Sequence, residues 1–228
     1  DLRLFDCKNL NLIHKGGGTL CLYRSHVKRL ITEPTTHLIF TDGLVDGPGP
    51  IELKGTTGYW EGSVATPITD QEHDNEGFIV TLPRIPIKVS SGSNLEFIRI
   101  NFKAPMVELM EIEDSVVAFQ ECRTLTPFKH CIKAKRTQLK ISRTYFTSER
   151  RCIEMTGSNN AIEIFSSHVE GFREEGLSLI NFIGRVVDCD YLTSPEISSD
   201  GTILIPDKPA TEPKGIYGAG AVVRLSGA

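Results

Sequence analysis

Short segments of alternating apolar and polar residues recur along the chain at nearly even intervals. Their internal period is two, which is the period of a β-strand and not of a helix. In each segment we take the third and eighth residues as interior positions. The segments are LEFIRINF, SVVAFQEC, LKISRTYF, IEIFSSHV and RVVDCDYL, which begin at Leu95, Ser115, Leu139, Ile162 and Arg185.

The starting residues of these segments are 20 to 24 residues apart. A fixed apolar pattern with such a period is typical of a repeat architecture. Further short strands, at 107–112, 152–155 and 177–182, fall between the segments. Short strands joined by polar bends predict a parallel β-solenoid whose coils lie about 4.8 Å apart. The predicted fold class is therefore all-β, a right-handed parallel β-helix with coils of about 18–24 residues.

The N-terminal third repeats the pattern with a step of 18 residues, from Leu2 to Leu20 to Leu38. Residues 42–77 interrupt the pattern and are predicted to be a loop-rich insertion. Gly/Pro-rich residues 42–50 and acidic residues 68–77 would be loops, and GYWEGSV between them would be a strand. The pattern is then predicted to resume with a coil that begins at FIVTLPRI, from Phe78.

The whole chain, 1–228, is predicted to form one β-helix domain, with 193–228 as a C-terminal capping region. A chain of 228 residues that is 39% hydrophobic can bury one core. A net charge of −4 argues against a broad nucleic-acid-binding surface. No run of 18 apolar residues occurs, so no membrane span is expected. The first residues do not have the pattern of a signal peptide. The compartment stays open, with virion or extracellular slightly favoured.

Coils of about 22 residues with short strands and polar bends resemble the right-handed parallel β-helix of the pectin-lyase-like superfamily. That superfamily includes polysaccharide lyases and hydrolases, bacteriophage tailspikes, adhesins, adenoviral capsid-associated proteins and cytoplasmic scaffolds. The resemblance therefore implies a fold and leaves the function open. The Asn-Thr-Asp, Asp-Asp and Gly-His-Gly motifs of polygalacturonases are absent, and so is the pectate-lyase arrangement of Trp-x-Asp-His with Arg-x-Pro-x-x-Arg.

The seventh position of successive segments suggests a binding surface. It is occupied by Asn101, Glu121, Tyr145, His168 and Tyr191, and it should face outward because it adjoins an interior position. Stacked aromatic rings beside a carboxylate would hold a sugar ring or a loop of a partner protein. A solvated row that only stabilises the stack is the alternative, and it is the more common case.

The fifth position places Arg24, Arg99 and Arg143 in a second outward row. Arginine binds carboxylates through two parallel hydrogen bonds, so such a row would hold an acidic polysaccharide. Ordinary surface charge is the favoured alternative, because Phe119 interrupts the row.

Asp188 and Asp190 form an i, i+2 pair whose carboxylates would face the same side of a strand. Such a pair can take part in Ca²⁺ binding or glycoside cleavage. No third metal ligand and no cofactor motif is identifiable, so neither a metal nor a cofactor is predicted.

Cys131 and Cys152 are 21 residues apart, close to one coil. Residues stacked in adjacent coils lie within disulfide range. A disulfide and a stacked pair of free thiols are equally consistent with this spacing.

Two functions follow from these patterns. The first is a non-catalytic structural or binding protein, such as a capsid or tailspike element or a scaffold, that contacts a protein partner or self-associates as a homotrimer through Glu121, Tyr145, His168 and Tyr191. The second is a polysaccharide-active enzyme that uses Asp188, Asp190, His168, Arg143 and Tyr145.

Overall fold

The computed structural model describes residues 1–46, 50–64, 71–73, 79–81, 87–103, 108–125, 128–171, 176–179, 182–187, 189, 191–192 and 225–226. These residues form an all-β structure without a helix. The strands, in chain order, are β1 (Leu2–Phe5), β2 (Leu10–His14), β3 (Gly18–Tyr23), β4 (His26–Thr32), β5 (Thr36–Val45), β6 (Ile51–Lys54), β7 (Thr57–Val64), β8 (Gln71–His73), β9 (Ile79–Thr81), β10 (Ile87–Ser90), β11 (Asn94–Phe102), β12 (Glu108–Glu113), β13 (Val116–Gln120), β14 (Arg123–Thr124), β15 (His130–Lys135), β16 (Gln138–Ser142), β17 (Tyr145–Ser148), β18 (Ile153–Thr156), β19 (Asn160–Phe165), β20 (His168–Gly171), β21 (Leu177–Leu179), β22 (Phe182–Val187), β23 (Tyr191–Leu192) and β24 (Leu225–Ser226).

Three parallel sheets run along the stack, and each coil from β3 to β21 contributes one strand segment to each sheet. Sheet 1 stacks β1, β3, the first parts of β5, β7 and β11, then β13, β16, β19 and β22. Sheet 2 stacks the start of β4, the ends of β5, β7 and β11, then β14, β17, β20 and β23. Sheet 3 stacks β2, the rest of β4, β6, β10, β12, β15, β18 and β21. The predicted parallel β-solenoid is confirmed.

Apolar side chains at alternate strand positions fill the interior. The ring contacts along the interior involve Phe97, Phe102 and Phe146, which were predicted to be interior, and Phe119, which was predicted to lie in an outward row. The outward prediction for Phe119 is wrong, because this side chain is fully buried. The Phe97 and Phe119 ring centroids are 5.1 Å apart, and the two rings are nearly parallel. Phe40 and Trp60 stack in the same way two coils earlier. The interior is thus a continuous column in which each ring packs on the next.

Tight bends separate sheet 1 from sheet 2. A non-glycine residue with positive φ occupies this bend in several coils, for example Arg99 at 50° and Arg143 at 48°. The next residue points inward and is small or polar in most of these bends, for example Ser25, Thr144 and Ser167, whereas Ile100 follows Arg99. The Thr144 hydroxyl donates to the Ser142 carbonyl at 2.9 Å and accepts from the Cys122 N–H at 3.2 Å. Such bonds satisfy backbone groups that would otherwise be buried without partners.

The predicted insertion at 42–77 is wrong for its first part. Residues 42–45 belong to β5, and Ile51–Lys54 and Thr57–Val64 are solenoid strands paired in parallel with coils on both sides. The predicted strand in GYWEGSV is confirmed. Gly58 explains the missed coil: it pairs with both Leu38 and Leu95 at an interior position, so the apolar pattern is broken there.

The predicted coil beginning at Phe78 is also wrong. Ile79–Thr81 pairs antiparallel with Gln71–His73 in a two-stranded sheet of its own. The solenoid resumes at Ile87, which is paired with Ile51 of the preceding coil. The interruption therefore lies between β7 and β10, later than predicted. Residues 47–49, 65–70 and 74–78 lie outside the described residues, as do 82–86 with the predicted interior residue Ile85.

Most of the predicted capping region, 193–224 and 227–228, lies outside the described residues. Within it, Leu225–Ser226 pairs antiparallel with Ile183–Gly184. The β22 strand also pairs in parallel with β19. The strand is thus paired on both sides at Ile183–Gly184, where its sheet edge is covered.

Candidate binding surface

Two of the predicted binding residues lie in one outward row of sheet 2, and the strand position of a third follows in register. Tyr145 of β17 is the strand partner of His168 in β20, and His168 is the partner of Tyr191 in β23. Neighbouring residues Phe146 and Val169 are buried, so the row faces away from the core. The structure thus brings Tyr145 and His168 together on consecutive coils and places Tyr191 next in register.

Glu121 does not lie in this row. The strand partner of both Asn101 and Tyr145 is Arg123, whereas Glu121 occupies the bend before sheet 2 with a φ of 56°. The sequence alignment was two residues out of register, because it matched Val117 with Phe97. The structure pairs Phe97 with Phe119.

A buried polar residue caused this error in register. The interior partner of Phe102 in sheet 2 is Thr124, and the sequence interpretation chose Cys122 because it is apolar. Thr124 is buried, and its hydroxyl lies 3.1 Å from the Thr147 hydroxyl of the next coil. The equal spacing of Phe97, Phe119 and Ile141 is the signal that gives the correct register.

The Tyr145 and His168 rings stack on each other. Their centroids are 4.3 Å apart with an interplanar angle of 14°. The His168 Nε2 atom lies 3.1 Å from Glu170 Oε2. The Tyr145 residue is 43% exposed. Since each ring covers one face of the other, a sugar ring has at most one face of each available for stacking. The phenol and imidazole edges, with Arg123 beside them, can instead form polar and aromatic contacts with a protein.

The predicted arginine row is neutralised within the solenoid. Each arginine forms an ion pair with an acidic residue of the preceding coil at the same bend. These contacts are Arg24–Asp6 at 2.9 Å, Arg99–Glu61 at 2.6 Å and Arg143–Glu121 at 2.8 Å. Glu121, and not Phe119, occupies this row between Arg99 and Arg143. These three arginines therefore do not form a row of free guanidinium groups for an acidic polysaccharide.

The residues expected for the enzymatic alternative are only partly described. Asp188 and Asp190 lie outside the described residues. Arg143 is paired with Glu121, and His168 contacts Glu170 and Tyr145. In the described part of the chain, no group of three or more His, Cys, Asp or Glu side chains is arranged to hold a metal ion.

Cys131 and Cys152 are free and buried on adjacent coils, and the Cys131 N–H donates to the Cys152 carbonyl at 3.1 Å. Burial, followed by the nearby Cys152, raises the pKa of the Cys131 thiol well above its usual value. Burial likewise raises the pKa of Cys122 to about 12. Of the two alternatives left open by the spacing, the structure has the stacked thiols, which act as small apolar side chains.

The outer face of sheet 3 was not identified from the sequence. Its central row alternates in charge along the strand pairings, with Glu52, Lys88, Glu111, Lys133 and Glu154 in order. Lys88 lies 3.5 Å from Glu111, and Lys133 forms an ion pair with Glu108. This surface balances its own charges, which gives a charged partner little net attraction.

The outer face of sheet 1 was also missed, and it differs from sheet 3. A shallow groove of about 750 Å³ crosses it. Val116 and Ile183 are 41% and 71% exposed. The other outward residues that line the groove are Asn94, Glu96, Ala118, Gln138, Lys140, Ala161 and Glu163.

Comparison with known proteins adds no relative: no protein-family model, no curated protein and no solved structure matches this chain. Within the residues that the structure describes, no helix has the length and apolar character needed to cross a membrane. The fold and the surface chemistry are accordingly the basis for the functional proposal.

Proposed function

We propose that this protein is a non-catalytic scaffold that docks a partner protein on the outer face of sheet 2, through Tyr145 and His168. The observation that carries the proposal is the stacked pair itself. It exposes an aromatic surface on a rigid sheet, and Arg123 lies next to it in register. Tyr and Arg are enriched among the residues that dominate binding energy at protein interfaces.

We also assign the solenoid to the right-handed β-helices of the pectin-lyase-like superfamily. Three parallel sheets, tight bends between sheets 1 and 2 and an interruption between sheets 2 and 3 support this assignment. Because that superfamily contains enzymes as well as structural proteins, the assignment leaves the docking proposal to be tested on the site itself.

The test uses a random-peptide display library selected on the immobilised protein. Enriched peptides are then titrated by fluorescence anisotropy against the unmodified protein, the double variant Tyr145→Ser/His168→Ser and a control variant, Phe5→Ser. The control removes another exposed ring, since Phe5 is 59% exposed. We expect about a tenfold or greater loss of affinity in the double variant, as for truncation of interface anchors, and no loss in the control.

Two outcomes would contradict docking at this row. One is that no enriched peptide distinguishes the double variant from the control. The other is that an acidic polysaccharide, assayed in parallel, is bound by the unmodified protein and cleaved, which would establish the enzymatic alternative. Polysaccharide binding without cleavage that is lost in the double variant would make the row a sugar-binding site instead.

Self-association through the same row, as a homotrimer, is the form of contact expected from the sequence. If it occurs, the variant Tyr145→Ser/Tyr191→Ser should sediment with a lower mass than the unmodified protein and keep its circular dichroism. If this variant has the same mass as the unmodified protein, the row does not join copies and its partner is a different chain.

A further inference from the structure

The outer face of sheet 1 has few charges, and their arrangement is unusual. Its central row carries most of these charges and runs through Tyr59, Glu96, Ala118, Lys140, Glu163 and Arg185 on successive coils. Glu96 and Lys140 thus lie on either side of Ala118. Within the described residues, neither of these two charges forms an ion pair, although Glu163 is the strand partner of Lys140. In sheet 3, by contrast, Lys88 and Lys133 form ion pairs with acids of neighbouring coils.

The two flanking rows of this face are nearly uncharged. The row on one side contains Thr57, Asn94, Val116, Gln138, Ala161 and Ile183. The row on the other side contains Glu61, Ile98, Gln120, Ser142 and Phe165. Glu61 is already paired with Arg99. Rows with exposed apolar residues and few charges are characteristic of a surface that another protein covers.

We propose that a second copy of this chain packs on the outer face of sheet 1, related by a two-fold axis that runs along the strand Val116–Gln120. This rotation reverses the solenoid axis of the partner copy and leaves the strand direction unchanged. Coils equally distant from the axis then face each other. Glu96 of each copy faces Lys140 of the other, and the small side chain of Ala118 at the axis permits close approach.

The same rotation matches the flanking rows. Val116, which is 41% exposed, faces itself across the axis, and the amide of Asn94 faces the amide of Gln138. Such self-complementarity is what an isologous interface requires. A two-fold axis parallel to the solenoid would instead place Lys140 against Lys140 and Glu96 against Glu96. Like charges in apposition across an interface are strongly unfavourable, which excludes that arrangement.

The available area is sufficient for a stable dimer. Five-residue strand segments cover about 17 Å in one direction, and seven coils at about 4.8 Å each cover about 34 Å in the other. The two faces would therefore bury on the order of 1,100 Å² in total, which exceeds the ~1,000 Å² expected of a biological interface. The strand segments on either side of residues 65–86 belong to sheet 2 and sheet 3, and not to sheet 1. This proposal is independent of the aromatic row in sheet 2.

Charge reversal tests the proposed two-fold axis. Sedimentation equilibrium is measured for the unmodified protein, for Glu96→Lys, for Lys140→Glu and for the double variant that carries both changes. Each single change places like charges opposite each other at two symmetric positions, so we expect the dimer dissociation constant to rise about a hundredfold. The double variant restores both opposite-charge contacts and should return close to the original value.

A matched control is Lys103→Glu, which makes the same change of charge as Lys140→Glu. Lys103 is exposed and directly follows β11, outside sheet 1. This variant should leave the dimer dissociation constant unchanged. The proposal is overturned if the unmodified protein is a monomer at high micromolar concentration. It is also overturned if a dimer forms that is weakened equally by both single variants and the double variant. Circular dichroism confirms that each variant is folded, so a loss of mass reports on the interface alone.

Discussion

Sheets 1 and 3 are built on the same coils but present opposite kinds of outer face. Both consist of parallel strands in register, and both cover the same apolar interior. Sheet 3 carries a charge of alternating sign on successive coils, and Lys88 and Glu111 lie 3.5 Å apart. Sheet 1 separates Glu96 from Lys140 by a coil that contributes Ala118. The comparison shows that the solenoid fold constrains the residue type only in its interior rows. Within the described residues, its outer rows can pair opposite charges, as Lys88 and Glu111 do in sheet 3, or leave charges without an ion pair, as at Glu96 and Lys140 of sheet 1.

The largest expected effect concerns what the two sheets share. Phe97 under sheet 1 and Ile132 under sheet 3 are both fully buried. Replacing either residue by Ala should cost roughly 2–5 kcal/mol of unfolding free energy, because it leaves a cavity between coils. Urea unfolding measures this cost, with Phe5→Ala as the exposed control. A mild effect at only one of the two sites would show that the sheets do not cover a common core.

A charge reversal in sheet 3 should have a smaller effect on stability. Glu111→Lys places three like charges on consecutive coils, between Lys88 and Lys133. We expect a loss of about 1 kcal/mol, since like charges directly opposite each other on neighbouring strands are destabilising by up to that amount. The loss should diminish in 1 M salt, which screens exposed charges. A loss that is independent of salt would argue against an electrostatic ladder.

The bend that follows β12 and β15 offers a test by pH. Arg136 lies beside Asp114 and Glu113. Its hydrogen bonds hold the pKa of Asp114 below its usual value, and the pKa of Glu113 is lowered first by Lys135 and then by Arg136. A lowered carboxyl pKa stabilises the fold above the unfolded pKa, and this stabilisation is lost as the pH falls through the folded pKa.

In Arg136→Ala, the pKa values of both carboxyl groups should therefore rise toward their usual values. The stability difference from the unmodified protein should be largest near neutral pH and should shrink in acid. Carboxyl titration by NMR measures the pKa values directly. Unchanged values for Asp114 would show that the ion pair at this bend is not formed in solution.

The smallest expected effect is the stability of a sheet 1 variant. Lys140→Gln should change the free energy of unfolding by less than about 0.5 kcal/mol, as for most surface substitutions, because Lys140 has no ion pair within the described residues. Unfolding at a low micromolar protein concentration, at which the proposed dimer is dissociated, measures this change in free energy. A loss as large as that of Glu111→Lys would remove the contrast between the two faces, since Lys140 would then stabilise its own chain.

Several sequence features predicted the fold correctly because they depend on local periodicity. The alternation in LKIS and IEIF identifies the strands, and the repeat near 22 residues identifies the parallel stack. Errors arose where an interior position is not apolar. Gly58 breaks the apolar pattern, so one coil was missed. At Thr124 the predicted register was wrong by two residues, and at Gly184 the predicted register of the last segment was wrong by one. Val187 therefore pairs with Phe165, and not with the interior residue Ile164.

The candidate surface was predicted only as far as the register was correct. Tyr145, His168 and Tyr191 were placed in one row because the spacing from Phe146 to Val169 to Leu192 is regular. Arg123 was missed and Glu121 was included, because a shift in register exchanges a strand position for a bend. The arginine row was recognised, but its ion pairs were not, since the acidic partners lie 18 to 38 residues away.

The sequence by itself determined the alternation that makes strands and the period that stacks them, since both follow from which side of a strand faces water. The tertiary structure decided which residues of different coils meet. Whether Lys133 pairs with Glu108, or Glu96 has the uncharged Ala118 as its strand partner, depends on how many residues each bend contains. A single added or missing bend residue changes every later partner, because the side chains of a strand alternate between core and solvent.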